Sequence, residues 1–298
     1  MAPPDPLPVL LAPFLARPDR AGILCDFDGT LSAIVDDPAR ARPVPGAVDV
    51  LGRLATHYRT VAVVSGRPVA FLREHLGGRG LVLCGLYGLE RLRGTEIEEA
   101  EGAGAWRPVV AEVTARAESA DGPGVDVEPK GLSVTLHYRN WPGREADTRA
   151  WADAEARRTG LVVHPGRLCF ELRPPIDRDK GSVVRELAAG LEAACFLGDD
   201  AGDLAAFDAL DALERDGTFA LRVGVRSTEG PAAILERSDV QVDGPAGALE
   251  LLERLSPCTA QPLYGSAGCG GRELVVEPLA RRAAGCHLAQ TARVLGAL

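Results

Sequence analysis

Short apolar runs alternate with amphipathic stretches along most of the chain. Apolar runs of about five residues between turn residues are typical of strands buried on both faces of a parallel sheet. Between these runs, apolar residues recur at helical spacing, for example at Val48, Leu51 and Leu54. The alternation of strand and helix over residues 21–89, and again over 175–256, predicts an α/β fold with a doubly wound, Rossmann-like parallel sheet and right-handed crossovers.

The pattern changes in the middle and at the end of the chain. Between residues 90 and 174, strand-like runs come in pairs around helical ones, which predicts a small inserted α+β domain. The sequence therefore predicts a core built from residues 1–89 and 175–256 and an inserted domain at 90–174. Residues 257–298 are rich in proline and glycine, and we expect an irregular C-terminal tail there, with a helix over 279–295.

Polar residues stand where several predicted strands end. Asp26 and Asp28 follow the first strand, and Ser65 follows the next. Asp199 follows a later strand, and Lys180 opens a helix. Because the carboxyl ends of parallel strands meet at one edge of a sheet, we expect the side chains that follow these three strands to lie together. Two acids held close together suit either a hard cation with oxygen ligands or a nucleophile paired with an acid or base.

Each of these residues also has a purely structural interpretation. Asp28-Gly29 is a common pair in hairpin turns. Ser65 is a good N-cap for the helix that follows, a position that also favours bound anions. Asp199 and Asp200 suit the start of a helix in the same way. Taken one at a time, the positions leave both interpretations open.

The charge balance narrows the classes of ligand. The chain of 298 residues has a formal net charge of −9, which argues against a general nucleic-acid-binding surface. A phosphorylated ligand needs local positive charge, and Lys130 and Lys180 are the only lysines in an arginine-rich chain. No apolar run reaches the roughly 18 residues of a membrane span, and the N-terminus lacks the basic stretch of a signal peptide, so we expect a cytoplasmic protein without a membrane partner. The scattered cysteine spacings favour buried free thiols.

The stretch Asp26-Phe27-Asp28-Gly29-Thr30-Leu31 resembles the first motif of phosphatases of the haloacid dehalogenase (HAD) superfamily. Three further segments are similar to the trehalose-6-phosphate phosphatases of that superfamily: GLYGLE at 85–90, VEPKGLSVTLHYR at 127–139 and FELRP at 170–174. The resemblance extends over residues 21–255. It implies a HAD core with an α+β cap domain, and an enzyme that converts trehalose 6-phosphate to trehalose and phosphate in trehalose biosynthesis.

The resemblance also implies roles at the catalytic edge. Asp26 would be the nucleophile that forms an aspartyl-phosphate, and Asp28 would act as general acid and then as general base. Ser65 would hydrogen-bond a phosphoryl oxygen. Lys180 would offset the negative charge on Asp26 and the phosphoryl group.

A magnesium site follows from the same resemblance. The carboxylate of Asp26, the backbone carbonyl of Asp28 and the carboxylate of Asp199 would hold Mg²⁺, which prefers oxygen ligands in octahedral geometry. Asp200 and Asp203 would lie farther from the ion or bind it more weakly.

Residues in the cap domain would select the sugar. Carboxylates accept hydrogen bonds from sugar hydroxyls, while lysine and arginine donate to sugar oxygens or phosphate. We expect the substrate-binding residues to be Gly66, Arg67, Glu128, Lys130, Arg139 and Glu171. Glu128 and Lys130 alternate in sequence, which predicts that they share one face of a strand.

One motif departs from the family pattern, and separately the sequence leaves three other functions open. These enzymes usually carry Gly-Asp-Asp-x-Thr-Asp-Glu, whereas this chain has Gly202 and Leu204 at the Thr and Glu places. Other readings of the sequence are a different sugar-phosphate phosphatase, a phosphomannomutase-like enzyme, or a non-catalytic sugar-phosphate sensor. We expect a monomer that binds a small sugar phosphate and no nucleic acid.

Overall fold

The computed structural model describes residues 6–35, 37–78, 80–227 and 230–256. Its strands are β1 Ala21–Cys25, β2 Thr60–Val64, β3 Val82–Gly85, β4 Glu90–Arg93, β5 Glu96–Glu99, β6 Asp126–Pro129, β7 Val134–His137, β8 Val162–Gly166, β9 Cys169–Arg173, β10 Ala193–Gly198, β11 Phe219–Arg226 and β12 Val240–Asp243. Its α-helices are α1 Leu7–Ala16, α2 Ala47–Ala55, α3 Val69–Leu76, α4 Arg107–Ala117, α5 Glu145–Thr159, α6 Lys180–Ala188, α7 Leu204–Arg215, α8 Ala232–Arg237 and α9 Gly244–Leu255. The expected C-terminal tail and its helix lie outside the described residues.

One large sheet forms the core. Its strands lie in the order β12-β11-β10-β1-β2-β3-β4-β5, and those from β12 to β3 are parallel. Ile23 and Val63 point to the face covered by α1, α2, α3 and α9, while Leu24 and Phe196 point to the face covered by α6, α7 and α8. Since both faces of the sheet are buried, β1 is a continuous apolar run. Each large apolar side chain buried in this way contributes about 1.5–3 kcal/mol to the stability of the fold. The predicted doubly wound sheet is confirmed.

A hairpin extends this sheet beyond β3. β4 pairs antiparallel with β3, and β5 pairs antiparallel with β4. The sequence predicts that the inserted domain starts at residue 90, but this pairing assigns residues 90–99 to the large sheet, so that boundary is wrong. A hairpin needs no crossover helix, and it therefore lacks the strand–helix alternation by which the other core strands are identified. We propose instead that the inserted domain begins after residue 99.

The inserted domain contains an antiparallel sheet with the order β6-β7-β9-β8. Helices α4 and α5 cover one face, where Val134, Leu136 and Leu172 are buried. Because side chains alternate along a strand, Thr135 and Glu171 point to the opposite face, which lines a cavity shared with the core. The polar face of the small sheet therefore stands over the strand ends of the large one.

Two further expectations concern the membrane and the cysteines. In the described residues, no helix combines the length and apolar character needed to cross a membrane. Cys25, Cys84, Cys169 and Cys195 are free thiols as predicted, and all but Cys169, which is partly exposed, are buried. Burial raises the pKa of Cys195 to about 12, so this thiol is un-ionised at neutral pH.

Candidate active site

A cavity of about 810 Å³ opens between the two sheets. Its volume is in the range of small-molecule binding sites. Asp26, Ser65, Lys180 and Asp199 line it from the core. The structure thus brings together side chains that are separated by up to 173 positions in the sequence (199 − 26).

Lys180 lies between two buried aspartates. Its Nζ is 3.0 Å from Oδ1 of Asp26 and donates to Oδ1 of Asp203 over 2.6 Å. Burial lowers the pKa of Lys180, but the charges of Asp203 and Asp26 outweigh it and raise that pKa, so the ammonium stays charged. Burial raises the pKa of Asp26, and Lys180 offsets part of this effect.

The start of α6 fixes the position of Lys180. Asp179 is the N-cap: its Oδ1 accepts a hydrogen bond from the backbone N–H of Ser182 over 2.6 Å. In return, the Asp179 N–H donates to Oγ of Ser182 over 3.0 Å. This capping box determines where the helix begins, and so it places Lys180 as the first helical residue, at the edge of the cavity.

Asp203 shapes the loop that follows β10. Its Oδ2 accepts hydrogen bonds from the backbone N–H groups of Asp199 and Asp200, over 2.9 and 3.0 Å. Its other oxygen accepts from Lys180. Both oxygens of Asp203 are therefore engaged within the protein, which makes it a positioning residue for its neighbours.

Asp199 packs directly against the turn after β1. A Cβ atom on Gly29 would lie 2.2 Å from the carboxyl carbon of Asp199, and Gly29 has φ of +75°. Only glycine satisfies both conditions. Asp199 is 2% exposed, and its Oδ2 has no hydrogen-bond partner in the described part of the chain. Burial, with the charges of Asp203 and Asp200, raises the pKa of Asp199 to about 7.

These acids fit a divalent cation. Single carboxylate oxygens of Asp26, Asp199 and Asp203 all lie within 4.8 Å of one another. The donors are oxygens, which suits Mg²⁺, and a cation here would favour the ionised form of each acid. Because Asp203 is already engaged, Asp26 and Asp199 are the residues that would hold the ion. The contribution of the Asp28 carbonyl stays a prediction.

Arg67 holds the side chain of Asp28. Its Nε and Nη2 donate to the two carboxylate oxygens of Asp28, each over 2.8 Å, in the bidentate arrangement that gives strong charge-assisted bonds. Its Nη1 donates to the Pro38 carbonyl over 2.8 Å and lies 3.7 Å from Oε1 of Glu128. Arg67, expected to bind substrate, therefore links Asp28 in the core to Glu128 in the inserted domain.

Ser65 and Gly66 form the turn after β2. Oγ of Ser65 accepts a hydrogen bond from the Arg67 N–H over 3.2 Å, and it does not cap α3, whose N-cap is Pro68. A Cβ on Gly66 would lie 2.7 Å from the hydroxyl oxygen of Tyr87. Gly66 thus leaves the space that the Tyr87 ring occupies, and no side chain of its own contacts a ligand.

Glu128, Lys130 and Glu171 form a compact cluster on the inserted domain. Nζ of Lys130 lies 3.6 Å from a carboxylate oxygen of each glutamate. Burial raises the pKa of Glu128, but the hydrogen bond from His137 and the charges of Lys130 and Arg67 outweigh it and lower the pKa to about 2. The Glu128 carboxylate is therefore ionised at neutral pH and able to accept hydrogen bonds.

The prediction that Glu128 and Lys130 share one face of a strand is wrong. β6 ends at Pro129, and Lys130 lies in the turn to β7, where its N–H donates to the Ser133 carbonyl over 2.9 Å. The turn is completed by Gly131, with φ of +81°. Lys130 reaches both glutamates because the chain reverses there. Arg139, which follows β7, also lines the cavity.

Several cavity residues were not identified from the sequence. Tyr87, with φ of +59°, turns out of β3, and the Arg173 guanidinium lies 4.0 Å from its ring centroid. Both lie in segments that are similar to trehalose-6-phosphate phosphatases, and this similarity was the signal that could have identified them. His137 contacts Glu128 at 2.8 Å. Arg167, at the tip of the β8–β9 hairpin, lies 4.0 Å from Oδ2 of Asp199, and no local pattern marked it.

Comparison with known proteins decides the family. The family model described as trehalose-phosphatase matches residues 24–242. The chain belongs to the trehalose-phosphatase family. A trehalose-phosphate phosphatase from Mycobacterium avium (strain 104) is 37% identical over 247 residues, which are 78% of this chain and 61% of that protein. The chain therefore spans about three fifths of the length of that curated relative.

Solved structures show the fold of this trehalose-phosphatase-family chain. The C-terminal domain of a trehalose-6-phosphate phosphatase from C. albicans superposes with a TM-score of 0.69 at 23% identity, over 86% of this chain and 99% of that domain. A haloacid dehalogenase-like hydrolase from Bacteroides thetaiotaomicron gives a TM-score of 0.55 at 17% identity, over 79% of this chain and 99% of that one. The fold is a HAD core with an inserted α+β cap.

The departure from the family motif has a local structural account. The Gly202 N–H donates to Oδ1 of Asp200 over 2.8 Å, a bond that needs no side chain at position 202. Leu204 begins α7 and packs against one of the two apolar clusters of the core. The loop is thus held by Asp200 and Asp203, and Leu204 adds apolar contact where the family has an acid.

Proposed function

We propose that this chain is a Mg²⁺-dependent phosphatase that hydrolyses trehalose 6-phosphate to trehalose and phosphate. The observation that supports this most is the meeting of two sets of side chains across one cavity. Asp26, Lys180 and Asp199 line it from the core, and Glu128 and Glu171 line it from the cap. The first set suits a phosphoryl group and the second suits sugar hydroxyls.

Asp26 is the nucleophile in the proposed reaction. Its carboxylate oxygen forms a bond to phosphorus while the bond from phosphorus to the sugar oxygen breaks, which leaves an aspartyl-phosphate. Asp28 gives its proton to the departing sugar oxygen. In the second step Asp28 takes a proton from water, the water oxygen bonds to phosphorus, and the Asp26 carboxylate is released with free phosphate.

The neighbouring groups stabilise charge during both steps. Lys180, already 3.0 Å from Asp26, would offset negative charge on the phosphoryl oxygens, and Ser65 would donate a hydrogen bond to one of them. Mg²⁺, held by Asp26 and Asp199, would neutralise further charge on the phosphoryl group. Arg67 orients Asp28 through two hydrogen bonds in the ligand-free arrangement, and it has to release one of the two oxygens when Asp28 carries the proton that it donates.

The cap cluster would select the sugar. Glu128 and Glu171 accept hydrogen bonds from sugar hydroxyls, and Lys130 and Arg139 donate to sugar oxygens or phosphate. A site built from buried polar groups discriminates strongly, because a sugar that does not match leaves those groups without partners.

The direct test is phosphate release from a panel of sugar phosphates. With Mg²⁺, the chain is expected to hydrolyse trehalose 6-phosphate at least about 100-fold more efficiently than sucrose, glucose or mannose 6-phosphate. EDTA should abolish release, and added Mg²⁺ should restore it. Equal rates across the panel would instead indicate a general sugar-phosphate phosphatase, and isomerised phosphosugar without free phosphate would indicate a mutase.

Removing the charge of Glu128 should separate recognition from chemistry. For Glu128→Gln we expect kcat/KM on trehalose 6-phosphate to fall about 100-fold, because a sugar hydroxyl loses its charged acceptor. Turnover of p-nitrophenyl phosphate, which lacks the sugar, should change less than about threefold. The matched control is Glu118→Gln, at the exposed end of α4. A parallel loss on both substrates would show that Glu128 serves the fold.

A further inference from the structure

The polar face of the small sheet carries one row of side chains across all its strands. Glu128 on β6 lies opposite Thr135 on β7, and Thr135 lies opposite Glu171 on β9. Glu171 in turn lies opposite His164 on β8. Directly opposite residues have Cβ atoms about 4.5–5.5 Å apart, and all four residues line the cavity. Thr135 therefore stands between the two carboxylates proposed to bind sugar hydroxyls.

The hydrogen-bonding state of Thr135 differs from that of its neighbours. Glu128 is bonded to His137 at 2.8 Å, and Glu171 accepts from the Ser133 hydroxyl over 2.6 Å. Thr135 is 2% exposed, yet its Oγ1 has no hydrogen-bond partner among the residues that the structure describes. A buried hydroxyl without a partner destabilises a protein, so packing alone would favour valine at this position.

We propose that Thr135 is a specificity-determining residue whose hydroxyl forms a hydrogen bond with the bound sugar. The sugar atom that it contacts lies between the two sugar hydroxyls that donate hydrogen bonds to Glu128 and Glu171. This inference rests on the proposed function. An ionised carboxylate only accepts hydrogen bonds, whereas a threonine hydroxyl also donates one. Thr135 can therefore donate a hydrogen bond to a sugar hydroxyl oxygen whose O–H already donates to a neighbouring glutamate. Together, the side chains of this row bind sugar hydroxyls both as hydrogen-bond donors and as hydrogen-bond acceptors.

The isosteric variant Thr135→Val tests this assignment. We expect KM for trehalose 6-phosphate, and Kd for trehalose measured by calorimetry, to rise about tenfold. Turnover of p-nitrophenyl phosphate should stay within about twofold of the original value. The melting temperature of the ligand-free protein should rise by about 2–4 °C, because an unpaired buried hydroxyl has been removed. Thr135→Ser, which keeps the hydroxyl, should retain KM within about threefold.

Thr148 provides a matched control. It lies on α5, is fully buried, and likewise has an Oγ1 without a hydrogen-bond partner in the described ranges, but it is not part of the cavity lining. Thr148→Val should raise the melting temperature to a similar extent and leave KM unchanged.

The outcomes separate this inference from the proposed function. An unchanged KM and trehalose Kd in Thr135→Val would overturn the inference while the phosphatase assignment stood. Wild-type protein that binds trehalose but releases no phosphate from trehalose 6-phosphate would overturn the proposed function, and the calorimetric comparison would still decide the role of Thr135. If wild-type protein bound neither trehalose nor trehalose 6-phosphate, both the role of Thr135 and the proposed function would be overturned.

Discussion

Asp26→Asn is expected to lower kcat for trehalose 6-phosphate by about 10⁴-fold or more, because the neutral amide is a poor nucleophile and no aspartyl-phosphate can form. The fold should survive. Asp26 is buried, and burial already raises its pKa, so a neutral residue of the same shape removes a charge that the interior disfavours. Its neighbour Lys180 keeps Asp203 as a partner at 2.6 Å.

Two measurements check this result. Rapid acid quenching with ³²P-labelled substrate should yield labelled wild-type protein and unlabelled variant, while circular dichroism and the urea midpoint should stay close to those of wild type. The control is Asp49→Asn, an exposed aspartate in the first turn of α2, which should leave kcat unchanged. Residual turnover above about 1% of wild type would mean that water attacks phosphorus directly and that Asp26 has another role.

The side chains that line the cavity from the core could be predicted because the relevant signals are local. Asp26, Ser65 and Asp199 each follow a strand that appears as a continuous apolar run, and the position of a residue just after a strand is visible in the sequence. Parallel topology then brings the strand ends together at one edge. Lys180 was predicted only to open a helix, and the structure supplies the local reason, which is the capping box of Asp179 and Ser182.

The arrangement of the cap residues could not be predicted, because it depends on contacts between segments that are distant in sequence. The bidentate bond from Arg67 to Asp28 and its approach to Glu128 join three separate segments, and no periodicity encodes such a meeting. Lys130 was expected on a strand face, but the turn at Gly131 decides its direction. The left-handed backbone of Tyr87 is likewise imposed by its surroundings, since tyrosine rarely adopts positive φ by itself.

The second large effect is expected for Lys180→Met. The variant removes an ammonium that is 3% exposed and lies between Asp26 and Asp203. Loss of one partner from a buried ionic cluster leaves uncompensated charge, and the free energy of unfolding should fall by about 3–5 kcal/mol. Urea unfolding at neutral pH without metal measures this loss. Saturating Mg²⁺ should recover part of the stability, because a cation again faces the carboxylates.

Activity should not return with the stability. Mg²⁺ would neutralise the acids, but the ammonium beside Asp26 would still be missing, so we expect kcat to remain at least about 10³-fold below wild type on both trehalose 6-phosphate and p-nitrophenyl phosphate.

The chain contains its own matched control for this variant. Lys130, the only other lysine, also lies between two carboxylates, each 3.6 Å away, but on the cap. Lys130→Met should therefore raise KM for trehalose 6-phosphate and leave turnover of p-nitrophenyl phosphate nearly intact. If the two variants lost both activities equally, the two lysines would share a structural role. Opposite patterns would locate phosphoryl chemistry at Lys180 and sugar recognition at Lys130.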